Sequence, residues 1–291
     1  MKTLLAASAA LVLTAVVAPA QSLLLDFGQT TVASPYLTTS PGHAAGTVPL
    51  TDTSWNKISS SASVSSLVYG NSAAATGVTL TMGQEAVVGN NTISYSTAIT
   101  QTNLAGTGGA ATGQQSLLGP GSIYGDDSSS TAVGKDGFFG GGSGGAGAAI
   151  GLRIDGLAVG DYVVYVMARN TNSNGDPSGS MNIYYAAGAA AETFDFSSLT
   201  PSLQSNTTYA SEGYAGQYNT FQAGNNYVAV HVSIAVGESL YLAIDGANPS
   251  VDTRGFVNAV QVVAVPEPSA VAAGMVGLLA LVASARRRKQ A

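Results

Sequence analysis

Two histidines, scattered serines and a few carboxylates beside glycines are the chain's main means of side-chain chemistry. His43 lies in a Pro/Gly-rich stretch and His231 in the middle of an alternating one. Nucleophilic catalysis needs a serine, a base and an orienting acid brought together. Serines are everywhere, but none is set apart by an elbow between a strand and a helix. Paired carboxylates could run glycoside hydrolysis, and Asp126-Asp127 and Asp245 with Asp252 are the groups that suggest it. All lie beside glycine or in turns, where Asp is favoured for its own backbone hydrogen bonds.

Asn170, Asn172, Asn174 and Gly175 mimic the start of a calcium loop. The first ligand position is Asn and the twelfth is Met181, so calcium is the weak alternative to no cofactor and no metal. Gly237-Glu238-Ser239-Leu240 is one substitution from the GDSL signature of some esterases, but it sits where a turn between two late strands is required anyway. The Gly140–Gly147 run has no Lys-Ser/Thr after it and is no phosphate loop; it reads as a flexible loop or a tight backbone crossing. The expectation is a chain that is not an enzyme, with a secreted glycoside hydrolase or esterase as the remoter alternative.

The aromatics are more suggestive. The chain has 13 Tyr and one Trp. Flat rings match apolar sugar faces, while Asn, Asp and Gln bond to hydroxyls. Tyr209, Tyr214, Tyr218 and Asn219 share one loop-rich stretch with Phe221 and Tyr227, and are the candidate saccharide contacts. The alternative is that these rings decorate strand ends and rims.

Positioning any of these groups falls to strands. Val228, Val230, Val232, Ile234 and Val236 alternate with Tyr227, Ala229, His231, Ser233 and Ala235, the period of a half-buried strand. Leu240, Leu242 and Ile244 repeat it, as do Val78, Leu80 and Met82. Strands are also expected at Leu23–Phe27, Ser65–Tyr69, Ile150–Ile154, Tyr162–Ala168, Met181–Ala186 and Phe256–Val263. No long amphipathic helix is apparent. The expected fold is all-β, an antiparallel two-sheet sandwich.

The two chain ends read as addresses. Lys2, an apolar run over Leu4–Val17 and Ala18-Pro19-Ala20 form a secretory signal peptide cut after Ala20 by signal peptidase. At the other end, Val265-Pro266-Glu267-Pro268-Ser269 precedes an uncharged stretch over Ala270–Ala285. Arg286, Arg287, Arg288 and Lys289 follow. Sixteen helical residues span about 24 Å, enough to cross a bilayer with snorkelling flanks, and the cations stay cytoplasmic. The expected organisation is therefore 1–20 signal peptide, 21–264 exported domain, 265–291 sorting signal.

Residues 21–264 carry fifteen of the sixteen acids, all but Glu267, and five of the ten cations, the rest being Lys2 and the tail cluster. Their net charge of −10 makes nucleic acid an unfavourable partner. There is no cysteine, so thiol chemistry and Cys-ligated metals are excluded.

The order VPEPS, apolar helix, basic cluster resembles the PEP-CTERM sorting signal of Gram-negative bacteria. That resemblance implies recognition by an exosortase, transient anchoring in the inner membrane, and final placement at the cell surface or in the extracellular matrix. The closing half, with YVVYV, YVAVHV, GESLYLAIDG and GFVNAVQVV, is similar to the jelly-roll, galactose-binding-like domains often seen in such proteins; it supplies no site residues. The functional expectation is a structural protein associated with exopolysaccharide, with a carbohydrate-binding or adhesion module as the first alternative.

Overall fold

A computed structural model describes residues 21–28, 41–44, 54–60, 62–99, 101–103, 137–141, 147–169, 180–206, 221–247 and 253–265. In chain order the elements are β1 (Ser22–Phe27), α1 (Pro41–Ala44), β2 (Asn56–Ile58), β3 (Thr79–Glu85), β4 (Thr92–Ser94) and β5 (Gln101–Asn103). Then come β6 (Gly137–Phe139), β7 (Ile150–Asp155), β8 (Gly160–Met167), β9 (Met181–Ala189) and β10 (Thr193–Asp195). The last are β11 (Ser202–Gln204), β12 (Val228–Ile234), β13 (Glu238–Gly246), β14 (Phe256–Val257) and β15 (Ala259–Ala264).

Alternation decides the layers. Val228, Val230, Val232 and Ile234 of β12 are buried while Ala229, His231 and Ser233 are exposed, as period two requires. Their sheet has the order β12-β8-β15-β1-β2, antiparallel except for the β1–β2 pair. A second sheet runs β10-β4-β3-β7-β13-β9-β11, and β14-β6-β5 make a small third. One core joins Leu23, Leu25, Val164, Val166 and Val262 to Leu80, Leu152, Ile154, Leu242 and Ile244. Each such side chain, fully buried, contributes roughly 1.5–3 kcal/mol. The fold is all-β and consistent with a two-sheet sandwich.

One expectation needs correction. Ser65–Tyr69 is no strand: only Val64↔Leu80 and Val68↔Ala74 bridge there, because Asn56 diverts Val68 from a ladder. The Asn56 amide donates to the Leu24 and Val68 carbonyls at 2.9 and 2.7 Å, and its oxygen accepts the Val68 N–H at 2.7 Å. Phe138 and Phe139 belong to strand β6 and pair with β14 and β5. Among the glycines that follow, the backbone is crossed closely. A Cβ at Gly140 would meet the Ala148 carbonyl oxygen at 2.1 Å, and one at Gly147 the Arg254 nitrogen at 2.2 Å.

The sandwich has two unlike ends. At the terminal end, Ala264 N–H donates to the Gln21 carbonyl at 3.0 Å, so the first and last described residues lie together. Short connections close this end, 156–159 between β7 and β8 and 235–237 between β12 and β13. At the far end lie Arg169, Ser180, Asn206, Ala247 and Thr253, the flanks of segments 170–179, 207–220 and 248–252, which are outside the described residues. Residues Gln21–Val265 form one compact unit.

Candidate functional site

The far end is built on buried polar side chains. The Gln204 oxygen accepts the Ala168 N–H at 3.1 Å, and its amide donates to the Ala168 carbonyl at 2.8 Å and to Asn206 Oδ1 at 2.9 Å. Asn206 Nδ2 donates to the same carbonyl at 3.2 Å. Asn258 Oδ1 accepts the Arg169 N–H at 2.7 Å, and the Asn258 backbone joins Phe27 to Met167. Arg169, Gln204, Asn206 and Asn258 are each 1 % exposed or less. This platform fixes the chain at Ala168 and Arg169 and up to Asn206.

Beside it, on the outer face of the seven-stranded sheet, two acids flank Ala149. Glu85 ends β3, and its carboxylate accepts N–H groups from Gly89 at 3.1 Å, Asn91 at 2.7 Å and Ala149 at 3.1 Å. Asp245 lies near the end of β13, opposite Asn182 of β9. With β7 between them, the two backbones are roughly 10 Å apart. Burial, then the Glu85 charge, push the Asp245 carboxyl up to about 6. Burial, then Asp245, also raise the Tyr184 phenol.

Aromatic rings wall this face. Tyr184 meets Phe196 at 4.7 Å between centroids, and Phe194 stacks on Tyr241 at 5.0 Å. Tyr95, Phe194, Phe196 and Tyr241 are buried as a second small core. Strand β4 can cross over them because Gly83 and Gly151 are bare: a Cβ at Gly151 would meet Ile93 Cγ2 at 2.4 Å. The Arg153 guanidinium lies 5.2 Å from the Tyr95 ring centroid and pairs with Asp155 at 3.0 Å. Chemically, the face sets a carboxylate held by three backbone N–H groups at Glu85 beside an acid at Asp245 whose pKa is raised to about 6. Glu85 was not among the sequence candidates. The signal that could have found it is an acid four residues before Gly89-Asn90-Asn91, a turn whose N–H groups need an acceptor.

The other sequence candidates fall apart. Ser239 is buried and donates to Asp155 Oδ1 at 2.6 Å, not to an imidazole. His231 is exposed on the other sheet, opposite Val163, so no Ser–His pair forms between them. Gly237 has φ +78°, the turn that β12 and β13 need. Tyr227 lies against Tyr165 and Phe221, at 6.1 and 6.0 Å. Tyr209, Tyr214, Tyr218, Asn219, Asp126, Asp127, Asp252, Asn170, Asn172 and Asn174 lie outside the described residues, as do Ala18, Ala20, Pro266–Ser269 and Arg286–Lys289. The side chain of His43 does too. Among the described residues, no group of three acids or histidines is placed to hold a metal.

No family model and no curated protein matches the chain. Solved structures do. The YxiM protein of Bacillus subtilis matches at 10% identity and TM-score 0.30, over 84% of this chain and 40% of that one. The isomalto-dextranase of Arthrobacter globiformis T6, complexed with panose, matches at 13% and 0.25, over 63% and 23%. The catalytic domain of Agl-KA matches at 12% and 0.25, over 64% and 28%. The chain thus spans from about a quarter to two fifths of the length of each. Likenesses this distant assign no activity. They do correct one expectation: two of the matched chains are enzymes, so the reading of this chain as not an enzyme is withdrawn.

Proposed function

We propose that this is an exported cell-surface or matrix protein, delivered by an exosortase-type system, whose sandwich associates with exopolysaccharide. The observation that carries the reading is the ordered tail, Val265-Pro266-Glu267-Pro268-Ser269, then sixteen uncharged residues, then Arg286–Lys289. Proline at 266 and 268 is disfavoured in a helix interior, which suits recognition by a processing enzyme. The finer fold we assign is jelly-roll, galactose-binding-like, with saccharide contacts through Tyr209, Tyr214, Tyr218 and Asn219. The test has two arms. In a Gram-negative host with an exosortase, replacing Pro266, Glu267 and Pro268 by alanine should leave the chain in the inner membrane. The unmodified chain should bind glycans on an array; no binding to any glycan would sink the saccharide arm alone.

A second reading, glycosidic hydrolysis, is favoured by the Glu85–Asp245 pair. Asp245 is suited to hold the proton of a general acid. Release of reducing ends from a polysaccharide panel, lost in Asp245→Asn, would establish it; no release by the unmodified chain would remove it.

A further inference from the structure

We infer that strand β12 is a pairing edge for a second copy of this chain, which adds its own β12 antiparallel about a twofold axis at His231. β12 ends its sheet, with β8 as its one strand neighbour among the described residues. In an antiparallel ladder, alternate residues turn their N–H and C=O groups to opposite sides. On β8, the carbonyls of Asp161 and Met167 accept from the N–H groups of Val265 and Asn258, on the β15 side, at 2.8 and 3.0 Å. The even-numbered residues of β8 therefore bond β12. By the register Val228↔Val166 to Ile234↔Gly160, their partners are Val228, Val230, Val232 and Ile234. Ala229, His231 and Ser233 are left with their backbone groups aimed away from the sheet, and their side chains are exposed.

The edge is closed at both ends and open between them. The Tyr227 carbonyl accepts the Gly224 N–H at 2.8 Å, and the Ala235 N–H donates to Glu238 at 2.8 Å. Between these closures, the backbone N–H and C=O groups of Ala229, His231 and Ser233 have no partner among the described residues. Sheet edges are ordinarily blunted by Lys, Pro, a bulge or an inward-pointing charge. Val228–Ile234 reads VAVHVSI, pairs without a break, and has none of these devices.

Length and symmetry identify the occupant. A second β12 presents the same open window between the same two closures, so it neither overhangs nor falls short. With His231 opposite the partner's His231, Ala229 lies opposite the partner's Ser233. Each such pair exchanges both bonds, so every open group is filled. Any other twofold register leaves part of the window unpaired. Val230 meets the partner's Val232 on the inner face, and no Asp, Glu, Lys or Arg of β12 is brought against its copy, because the strand has none. The contact pairs a surface with itself and closes on a dimer. It is small, so the association is transient and is best trapped covalently.

The chain has no cysteine, so introduced cysteines report the register directly. The full-length protein in detergent micelles would be exposed to oxygen and a copper–phenanthroline catalyst. Residues opposite one another stand about 5.5 Å apart at Cα, within disulfide range. Two copies of residue 229 stand about 14 Å apart in this register, beyond it. Ala229→Cys mixed with Ser233→Cys should therefore form disulfide dimers about tenfold faster than either chain alone. His231→Cys should do so by itself, and Val87→Cys, 64 % exposed on another sheet, sets the rate of chance collision. All four positions are exposed, so the variants keep the fold. Adding His231→Asp to both mixed chains sets like charges opposite each other and should slow their dimer about fivefold. Equal rates for the mixture and the single chains overturn the inference, as does a His231→Cys rate no faster than that of Val87→Cys. A mixed rate indifferent to His231→Asp overturns it too.

Discussion

The two ends of the sandwich use the same strands to opposite effect. At the terminal end the connections are short, apolar and exposed, Glu238 and Asp155 bond a turn N–H and Arg153, and Asp161 is exposed. At the far end, polar side chains are buried and the described backbone is spliced together by Gln204, Asn206 and Asn258. Hydrogen bonds at the first end satisfy turns that could exist alone. At the second they hold apart and align segments distant in sequence, such as Arg169 and Asn258. One end can lose a side chain cheaply; the other cannot.

The largest test of that contrast is Gly255→Val. A Cβ there would meet the Ile244 carbonyl oxygen at 1.9 Å, so the backbone of β13 must move. The expected loss is about 4 kcal/mol or more, read as a collapse of the urea midpoint. Gln204→Leu comes next. It strands the Ala168 N–H in the interior and leaves the Ala168 carbonyl only its bond from Asn206, at a cost of about 1–3 kcal/mol by the same measurement. Wild-type stability in Gln204→Leu would mean that the far end is not held together by this cluster.

Asp245 sharpens the comparison through pH. Its folded-state pKa, about 6, is above the ordinary 3.8. Its stabilising contribution is therefore complete below pH 3.8 and is lost as pH rises through about 6. Asp245→Asn should flatten that slope and leave the protein about 1–2 kcal/mol more stable than wild type at pH 7.5, after discounting for solvent screening. Glu85→Gln should move the slope to lower pH by removing the neighbouring charge, which a pH series of thermal midpoints would detect. The smallest effect belongs to the terminal end. Val236→Ser should change stability by no more than about 0.5 kcal/mol. A larger loss would mean that this valine is packed against something in solution.

Legibility followed periodicity. The β12 alternation named its buried face correctly from Val228 to Ile234, because a strand with one face in a core leaves a period-two trace; Val236, read on the same face, is exposed beyond the strand, and β13 is buried on both faces. The three-residue strands β4, β10 and β11 left none. β4 is placed by bare backbone at Gly83 and Gly151, and its residues Thr92-Ile93-Ser94 carry no pattern of their own. Tyr241 was readable only as the odd residue between Leu240 and Leu242. Its role in an outer aromatic core depends on Phe194, which is distant in sequence. The Glu85–Asp245 pair was hidden for the same reason: two residues 160 positions apart become neighbours only when β3, β7 and β13 align.

Local chemistry alone settled the strand periods, the acidity of residues 21–264 and the absence of thiol chemistry, since each is a property of nearby residues or of a simple sum. Tertiary structure decided which polar groups are buried, which serine meets an acid, and which face the aromatics occupy. Those depend on strand order, and strand order is a choice among long-range pairings that no short window of residues records.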